Sequence, residues 1–239
     1  MPRSAVAKLA PRRRPRADGD ASESLTERAY RELEEQIVTL QLPPGAVVTE
    51  ASLGARLAIG RTPIREALQR LARERLVVIL PRRGIVVAEE NLTTQLRLLE
   101  LRREVERLLA RSAARRATTG QRRRLNDIAS GMEQAARAAD DIGFMRLDRD
   151  FNLLMLEAAR NDFASGAMSL MHGLSRRFWY IHYRAVADLP LAARLHAEVA
   201  RAVAAGDGDA AQLASDRLID YIEAFARATA AGLGVGQVP

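Results

Sequence analysis

The spacing of apolar residues predicts the secondary structure of the first third of the chain. Apolar positions three and four residues apart predict a helix over Leu25–Leu40, and the sequence LPPG then ends it. The pair VV at residues 47–48 is long enough for a single β-bridge only. A second, short helix is predicted to open at Thr49 or Glu50 and to run to about residue 58, where the tight turn IGR follows.

A third helix carries both an apolar stripe and a basic face. Thr62 is predicted as its N-cap and Pro63 as its first residue, a position where proline removes no hydrogen bond. The inward stripe consists of Ile64, Ala67, Leu68 and Leu71. The opposite face presents Thr62, Arg65, Gln69 and Arg73. After Leu76 the segments VVIL, PRRG and IVVA change to a period of two, which predicts a β-hairpin with Arg82 and Arg83 at its tip.

From residue 91 to about residue 231 the pattern is helical throughout. Turn-forming residues interrupt it near Thr118-Thr119-Gly120, Asp140-Asp141, Asn161-Asp162, Asp188-Leu189-Pro190 and Gly206-Asp207-Gly208. We therefore expect about six helices in an antiparallel bundle. The predicted fold class is mostly α, with the small hairpin as its main β element.

Composition narrows the class of protein further. Apolar residues make up 48% of the 239 residues and aromatic residues only 4%, which favours a mostly α protein. The chain contains no cysteine, which excludes disulfides, zinc fingers and thiol catalysis. No apolar run reaches the roughly 18 residues of a membrane span, and the N-terminus lacks the apolar core of a signal peptide. We expect a cytoplasmic protein without a membrane partner.

The positive charge of the chain is concentrated near its beginning. The formal net charge is +7, and residues 1–22 alone carry six cations and two anions. These residues are rich in proline and arginine and lack apolar periodicity, so they are predicted to form a disordered basic tail. The tail either only solubilises the protein or touches DNA. Residues 25–88 are also basic, with ten cations and seven anions.

Helix, short helix, turn, helix and hairpin is the order of a winged helix-turn-helix. The apolar stripe of the third helix holds it against the domain, so its basic face can lie in the major groove of DNA. Arginine near the start of that helix can pair with guanine through two hydrogen bonds, and arginine at the hairpin tip can reach the minor groove. The alternative is a solvated basic helix followed by an unrelated hairpin. The hairpin, the turn and the charge asymmetry together favour DNA binding.

The same segment resembles a known family. The run LPPGAVVTEASLGARLAIGRTPIREALQRLARERLV, followed by PRRGIVV, is similar to the GntR family of bacterial transcription regulators. The resemblance implies DNA contacts from the third helix by Arg61, Thr62 and Arg65 and from the wing by Arg82, Arg83 and Gly84. Gln69 joins them because it shares the outward face of the helix.

The helical part resembles the FadR-like branch of that family, with its FCD ligand-binding domain. The resemblance rests on FMRLDRDFNLLMLEAARND and HAEVARAVAAGDGDAAQLASDRL. It implies a winged helix-turn-helix domain over residues 23–89 and an all-helical domain for ligand binding and dimerisation over residues 90–232.

Many members of this branch bind a divalent metal through one aspartate and three histidines. Asp148 and His196 match two of these ligands, but Asn152 stands where a histidine is expected. The fourth ligand falls at Leu218, or at Arg217 if the register shifts by one residue. Helical periodicity places both Asp148 and His196 on inward faces. We expect a hydrogen-bonded pair without metal, no cofactor, and a small organic acid bound by His196 and Asn152; weak binding of a divalent metal through Asp148 and His196 stays an alternative.

Two further features of the helical part are candidates for ligand contact. Arg102 lies on the apolar side of its helix, where it needs an anion, either Glu106 at i+4 or a carboxylate ligand. The internal pair is favoured. The segment MHGLSRRFWYIHYR, which includes His172 and His182, forms either a ligand wall or a dimer surface. Alternatively its aromatic residues only pack, and its arginines are solvated.

The sequence therefore predicts a metabolite-responsive transcription regulator, with repression favoured, that binds a pseudo-palindromic operator in double-stranded DNA as a homodimer. The effector is expected to be a small molecule such as a carboxylic acid. A ligand-independent architectural DNA-binding protein is the alternative, although it would not need so large a bundle. An enzyme is not expected, because the chain has three histidines and no phosphate-binding glycine loop, HExxH or GxSxG motif.

Overall fold

The computed structural model of the protein describes residues 23–232. The predicted basic tail, residues 1–22, lies outside this range. The described part is mostly helical and contains two hydrophobic cores, one for each part of the sequence distinguished above.

The first core is enclosed by three helices and a small sheet in the predicted order. The elements are α1 (Leu25–Val38), β1 (Val47–Val48), α2 (Glu50–Leu57), α3 (Arg61–Arg73), β2 (Val77–Leu80) and β3 (Gly84–Val87). The first helix ends two residues before the predicted Leu40, which itself has a positive φ of 62°. The winged helix-turn-helix arrangement is confirmed, and the predicted inward stripe of α3 is buried.

The N-termini of α2 and α3 are capped in different ways. Thr49 is the N-cap of α2, and its side chain exchanges hydrogen bonds with Ser52 in a capping box. The prediction for α3 is wrong by two residues, because Gly60 is the N-cap and Thr62 already lies inside the helix. No side chain of the described residues caps the first turn of α3, so its amide groups stay open to an anion from outside.

The sheet is slightly larger than the sequence indicates. Residues 47 and 48 form a two-residue strand, not a single bridge, and the strand order is β1-β3-β2 with antiparallel pairing. In the hairpin, Ile79 pairs with Ile85 and Leu80 with Gly84. Gly84 has a φ of +99°, and a Cβ at this position would lie 2.9 Å from the carbonyl oxygen of Val48. Glycine is therefore needed both for the backbone conformation and for the close approach of β1.

The second core lies inside a bundle of six helices, as predicted. They are α4 (Leu92–Arg116), α5 (Thr119–Arg137), α6 (Asp141–Ala159), α7 (Asp162–Val186), α8 (Leu189–Ala205) and α9 (Gly208–Ala231). All five predicted interruptions fall at the observed junctions. At four of these junctions an aspartate or asparagine caps the following helix, as Asp140 does for α6 and Asp188 for α8.

Helix α7 joins the bundle to the winged domain. Arg177 is 1% exposed, and its guanidinium donates hydrogen bonds to the carbonyl oxygens of Ala88 and Glu89, in the segment between the two domains. Glu90 in the same segment lies 3.2 Å from Nε2 of His182. For the segment MHGLSRRFWYIHYR, the interpretation that the arginines are solvated is wrong for Arg176 and Arg177, which are both buried. Arg184, the third arginine of the segment, is exposed. Among the described residues, no helix is both long and apolar enough to cross a membrane.

Candidate functional site: a basic winged surface and a cavity in the helical bundle

The predicted recognition residues lie on one exposed surface of α3. Arg61, Thr62, Arg65 and Gln69 are all exposed, and the buried stripe of the helix faces the other way. Because α3 begins at Arg61, the first two of these residues lie in its first turn. Arginine and hydroxyl side chains at the start of a helix, together with uncapped amide groups, form a surface suited to phosphates and base edges.

Arg65 is already paired in the free protein. Its Nε and Nη2 each lie 2.8 Å from a carboxylate oxygen of Glu50, at the start of α2. Both side chains are solvent-accessible, so this two-point pair holds Arg65 in a defined position with little net stabilisation. The hydrogen bond with Glu50 also raises the pKa of Arg65 and lowers the pKa of Glu50. The sequence did not indicate this pair.

The wing stands beside the recognition helix. A groove of about 440 Å³ runs between α2, α3 and the hairpin, and both Arg61 and Arg82 line it. Arg82 adopts a left-handed backbone conformation with a φ of 61°, and Arg83 beside it is exposed. The structure thus brings the predicted helix and wing residues to the same side of the domain.

A cavity of about 40 Å³ lies in the bundle and is lined by residues of α4, α6, α7, α8 and α9. Its polar lining includes the four residues predicted from the sequence. They are Arg102 from α4, Asp148 and Asn152 from α6, and His196 from α8. Phe144, Trp179 and Tyr221 contribute aromatic walls.

Asp148 lies at the centre of the polar lining, and the predicted pairing with His196 is confirmed. Its Oδ1 is 3.2 Å from Nε2 of His196, and it also accepts a 3.1 Å hydrogen bond from Nδ2 of Asn152. Its Oδ2 lies 3.0 Å from Nε of Arg176. Burial alone would raise the pKa of Asp148, but the hydrogen bond and charge of His196 and the charge of Arg176 lower it to about 2. The carboxyl group is therefore ionised at neutral pH.

The two histidines of the cavity differ in their surroundings. Nδ1 of His196 lies 2.8 Å from the carbonyl oxygen of Ala192 and Nε2 faces Asp148, so both of its ring nitrogens face acceptors. His172 is partly buried, and desolvation together with the charge of Arg102 lowers its pKa to about 3. His172 is thus a neutral imidazole that can donate or accept a hydrogen bond.

The remaining predicted residue, Arg102, forms the internal pair that the sequence favoured. Its Nε and Nη2 each lie 2.6 Å from Oε1 of Glu106, one turn further along α4. The side chain is 7% exposed, so the pair is almost fully desolvated. Arg102 nevertheless lines the cavity.

A second, smaller cavity of about 20 Å³ adjoins the first and shares Asn152 and His172 with it. Its other walls are mainly apolar. They include Leu109, Phe151, Met155, Met168, Val199 and Leu218. Leu218, which stands where the family pattern places a histidine, therefore contributes to an apolar compartment.

The donor set of the first cavity does not fit a transition metal. Among residues 23–232 no cluster of three or more histidine, cysteine, aspartate or glutamate side chains has the geometry of a metal site. Arg217, the alternative fourth position, is exposed and pairs with Glu198. The guanidinium of Arg176 already provides a positive charge to Asp148. Zinc requires three or four strong donors around one point. Asp148, His172 and His196 all line the cavity, but among residues 23–232 they do not form a group that could hold a metal ion.

Sequence reasoning did not single out Arg176, and it left His172 and Trp179 open between ligand contact and packing. The three lie at intervals of four and three residues along α7, so they share one helical face. That spacing was visible in the segment MHGLSRRFWYIHYR. The sequence did not show that this face points inward, because the segment is rich in aromatic and charged residues on every side.

Comparison with known proteins agrees with the two-part structure. Residues 25–87 match the family described as bacterial regulatory proteins, gntR family, and residues 97–221 match the FCD domain. The HTH-type transcriptional repressor RspR of Escherichia coli K12 is 25% identical over 206 residues, which cover 86% of this chain and 90% of that protein. The Nta operon transcriptional regulator of Aminobacter aminovorans is 31% identical over 126 residues, 52% of this chain and 59% of that protein.

Solved structures agree with the fold. The structure titled E. coli McbR/YncC superposes with a TM-score of 0.72 at 20% sequence identity, and the match covers 87% of this chain and 99% of that one. A GntR regulator from Rhodococcus sp. RHA1, described as putative in its title, superposes with a TM-score of 0.63 at 22% identity, covering 84% and 97%. The chain therefore belongs to the FCD-domain branch of the GntR family and is a DNA-binding transcription regulator.

Proposed function

We propose that the protein is a ligand-responsive repressor that binds a pseudo-palindromic operator as a homodimer. Residues 23–89 form the DNA-binding domain, and residues 90–232 bind the effector and carry the dimer contact. The name of the relative RspR, a transcriptional repressor, supports repression. A single winged domain reads only a few base pairs, so a dimer is needed to give useful specificity.

The DNA surface of this proposal consists of the exposed recognition and wing residues. They are Arg61, Thr62, Arg65, Gln69, Arg82, Arg83 and Gly84. The residues of α3 read base edges in the major groove, because they lie on its exposed face. The wing residues contact the backbone or the minor groove, where negative potential attracts arginine. Gly84 contributes by allowing the tight turn that presents the two arginines.

One observation carries the effector proposal, namely the cavity in which buried arginines and histidines lie beside aromatic walls. Arg102 and the second amide N–H of Asn152 can donate hydrogen bonds to a carboxylate, and the neutral His172 can donate a third. His196 lines the same cavity and holds Asp148 in place. A water molecule needs about 10–15 Å³ of such space, so about 40 Å³ accepts an anion of only a few heavy atoms. A short apolar tail fits the adjoining compartment beside Leu218. The effector is therefore a small monocarboxylate or a similar organic acid.

The test has two arms that use the whole chain. Genomic fragments bound by the purified protein are sequenced, and the recovered operator should contain two half-sites about one helical turn apart. Acetate, propionate, glycolate and succinate are then titrated while the fluorescence of Trp179, the single tryptophan, is followed. Binding of an acid should change this fluorescence, because Trp179 lines the cavity, and should raise the melting temperature.

Each arm has an outcome that overturns its part of the proposal. A monomeric mass by sedimentation, both with and without operator DNA, would contradict the dimer. Unchanged fluorescence and melting for every acid would contradict the effector site. The variant Arg217→Gln is a matched control for charge, since this arginine is exposed and outside both cavities, and it should leave acid binding unchanged.

A further inference from the structure

Arg176 lies between two carboxylates that belong to different domains. Its Nε is 3.0 Å from Asp148 in the cavity, and its Nη1 donates a short hydrogen bond to Glu34 in α1 of the winged domain. Its Nη2 donates to the carbonyl oxygen of Met145 at 2.7 Å. The side chains of Arg176, Asp148 and Glu34 are each less than one tenth exposed. A single buried guanidinium therefore connects the cavity lining to the DNA-binding domain.

Glu34 is attached to the element that supports the recognition helix. It lies in α1, which packs directly against α3. One turn before it, the hydroxyl of Tyr30 donates a 2.8 Å hydrogen bond to Glu74, which follows α3, and the guanidinium of Arg70 stacks 3.5 Å from the centre of the Tyr30 ring. A shift of α1 relative to the bundle would therefore carry α3 with it.

The bonding of Arg176 and Glu34 is incomplete. Within the described part of the chain, Nε of Arg176 has no well-directed hydrogen-bond acceptor, although Asp148 is close enough for an ion pair. Oε2 of Glu34 is likewise buried without a hydrogen-bond donor among residues 23–232, although Nε of Arg149 in α6 lies 3.5 Å away as an ion pair. An acceptor that entered the cavity could therefore recruit Arg176. Unsatisfied buried groups make the present arrangement easier to exchange for another.

We infer that a bound carboxylate and Glu34 compete for Arg176, so that effector binding weakens the attachment of α1 to the bundle. This inference rests on the effector site proposed above. A carboxylate in the cavity would take hydrogen bonds from the guanidinium, whose bond to Glu34 would lengthen or break. By linkage, weakening the bond from Arg176 to Glu34 must strengthen carboxylate binding by the same factor.

Other cations near the cavity or the domain boundary cannot perform this exchange. Arg102 pairs with Glu106 of its own helix, so its recruitment by a ligand changes nothing in the winged domain. Arg146 does cross the boundary and pairs with Glu35, but it is 65% exposed and does not line the first cavity. Arg149 also crosses the boundary and lies 3.5 Å from Glu34, but it does not line that cavity either. Among the cations of residues 23–232, Arg176 is the one that combines a place in that cavity with a bond to the winged domain.

The neighbouring residues Glu34 and Glu35 provide a matched pair of variants. Glu34→Gln removes the charge that competes for Arg176, whereas Glu35→Gln removes the partly exposed inter-domain charge next to it. Acetate, propionate, glycolate and succinate are titrated by Trp179 fluorescence in both variants and in the wild-type protein. Glu34→Gln should bind the active acids more tightly, on the order of 5- to 150-fold, the usual range of such coupling. Glu35→Gln should resemble wild type.

Hydrogen exchange of the α1 amides supplies a readout of domain attachment. A saturating acid should speed exchange in the wild-type protein, and Glu34→Gln should already exchange at the faster rate without any acid. Arg176→Lys is a second variant that keeps the charge but cannot bridge two carboxylates, and it should also exchange quickly. Folding of each variant is checked by circular dichroism.

The outcomes separate this inference from the effector site itself. If an acid binds wild type but Glu34→Gln binds it no more tightly than Glu35→Gln, the competition is wrong and the effector site stands. If the acid leaves α1 exchange unchanged, the competition is again wrong. If no acid binds any of the proteins, the effector site fails and the competition fails with it.

Discussion

Arg65 and Glu50 form a two-point ion pair that joins the recognition helix to the helix before it. Both nitrogen–oxygen distances are 2.8 Å, and the Arg65 side chain is 60% exposed. The two hydrogen-bonding nitrogens that would recognise guanine are therefore occupied by a carboxylate in the free protein. For the proposed contact of Arg65 with a base, DNA would have to displace Glu50 or use the remaining guanidinium nitrogen, Nη1.

Removal of Arg65 should lower both the affinity and the selectivity of DNA binding. Arg65→Ala is expected to weaken binding to the recovered operator by about 1–3 kcal/mol and to relax base preference at one position of each half-site. Fluorescence anisotropy with the operator and with single-base variants measures both effects. An equal loss on operator and random DNA would mean that Arg65 contacts the backbone only.

Removal of the Glu50 carboxylate, which competes with DNA for Arg65, should raise the affinity for the operator. Glu50→Ala frees Arg65 and removes a negative charge from the DNA-facing groove, so operator binding should become tighter. When Glu50→Ala is introduced into the Arg65→Ala variant, the gain in affinity should be smaller, because the ion pair is already broken. A double-mutant cycle measures the difference between the two gains. Arg83→Ala is the control on the wing. It should weaken binding to all sequences alike and reduce the salt dependence by about one counterion.

The stability of the wing should require glycine at position 84. Gly84→Ala places a Cβ 2.9 Å from the carbonyl oxygen of Val48 at a φ of +99°, a conformation that alanine rarely adopts. We expect a loss of about 1–3 kcal/mol in the free energy of unfolding, measured in urea. Gly166→Ala is the matched control, because no described heavy atom lies within 4 Å of its new Cβ. It should stabilise α7 by about 0.5–1 kcal/mol.

The purified protein should hold no stoichiometric zinc, nickel or manganese. Asp148 and His196 are two strong donors, Asn152 directs its amide nitrogen at Asp148, and Leu218 supplies no donor. Elemental analysis after gentle purification measures the metal content, and a chelator should leave the melting temperature unchanged. About one metal ion per chain that disappears in His196→Ala would show that another ligand completes the site.

Stability should rise with pH on the acid side of neutrality because of His172. Its pKa is lowered to about 3 in the folded protein, below the ordinary value of 6.5 that applies to the unfolded chain. Between these two values the unfolded state binds a proton that the folded state does not, so stability falls as the pH is lowered from about 6.5. Urea unfolding from pH 5 to pH 8 measures the trend.

The variant His172→Gln isolates that contribution. Below pH 6.5 it should reduce the pH dependence of the free energy of unfolding by at most about 1.4 kcal/mol per pH unit. Above pH 7 the pH dependence of the free energy of unfolding should stay nearly unchanged. The same slope in the variant and in the wild-type protein would show that His172 is protonated in the folded state. The ionised Asp148 contributes almost no slope here, because its pKa of about 2 in the folded protein and its ordinary value of 3.8 both lie below the range measured.

The sequence alone determined the order and nature of almost every element. Helical and strand periods differ, and proline, glycine and aspartate mark the breaks, so the three helices, the wing and the six-helix bundle are local properties of the chain. The inward direction of Asp148 and His196 and the pairing of Arg102 with Glu106 also follow from helical spacing. The start of α3 was misplaced, because both Gly60 and Thr62 are acceptable N-caps and packing decides between them.

Only the tertiary structure decided which charges meet across elements far apart in sequence. Arg65 and Glu50 are 15 residues apart, and Arg176 and Glu34 are 142 apart, so no spacing rule connects them. A pattern of apolar residues shows which face of a helix is inward, but the sequence does not distinguish a buried arginine from a solvated one. Its burial depends on whether another domain supplies a carboxylate at the right place, and that is a property of how the winged domain and the bundle pack together.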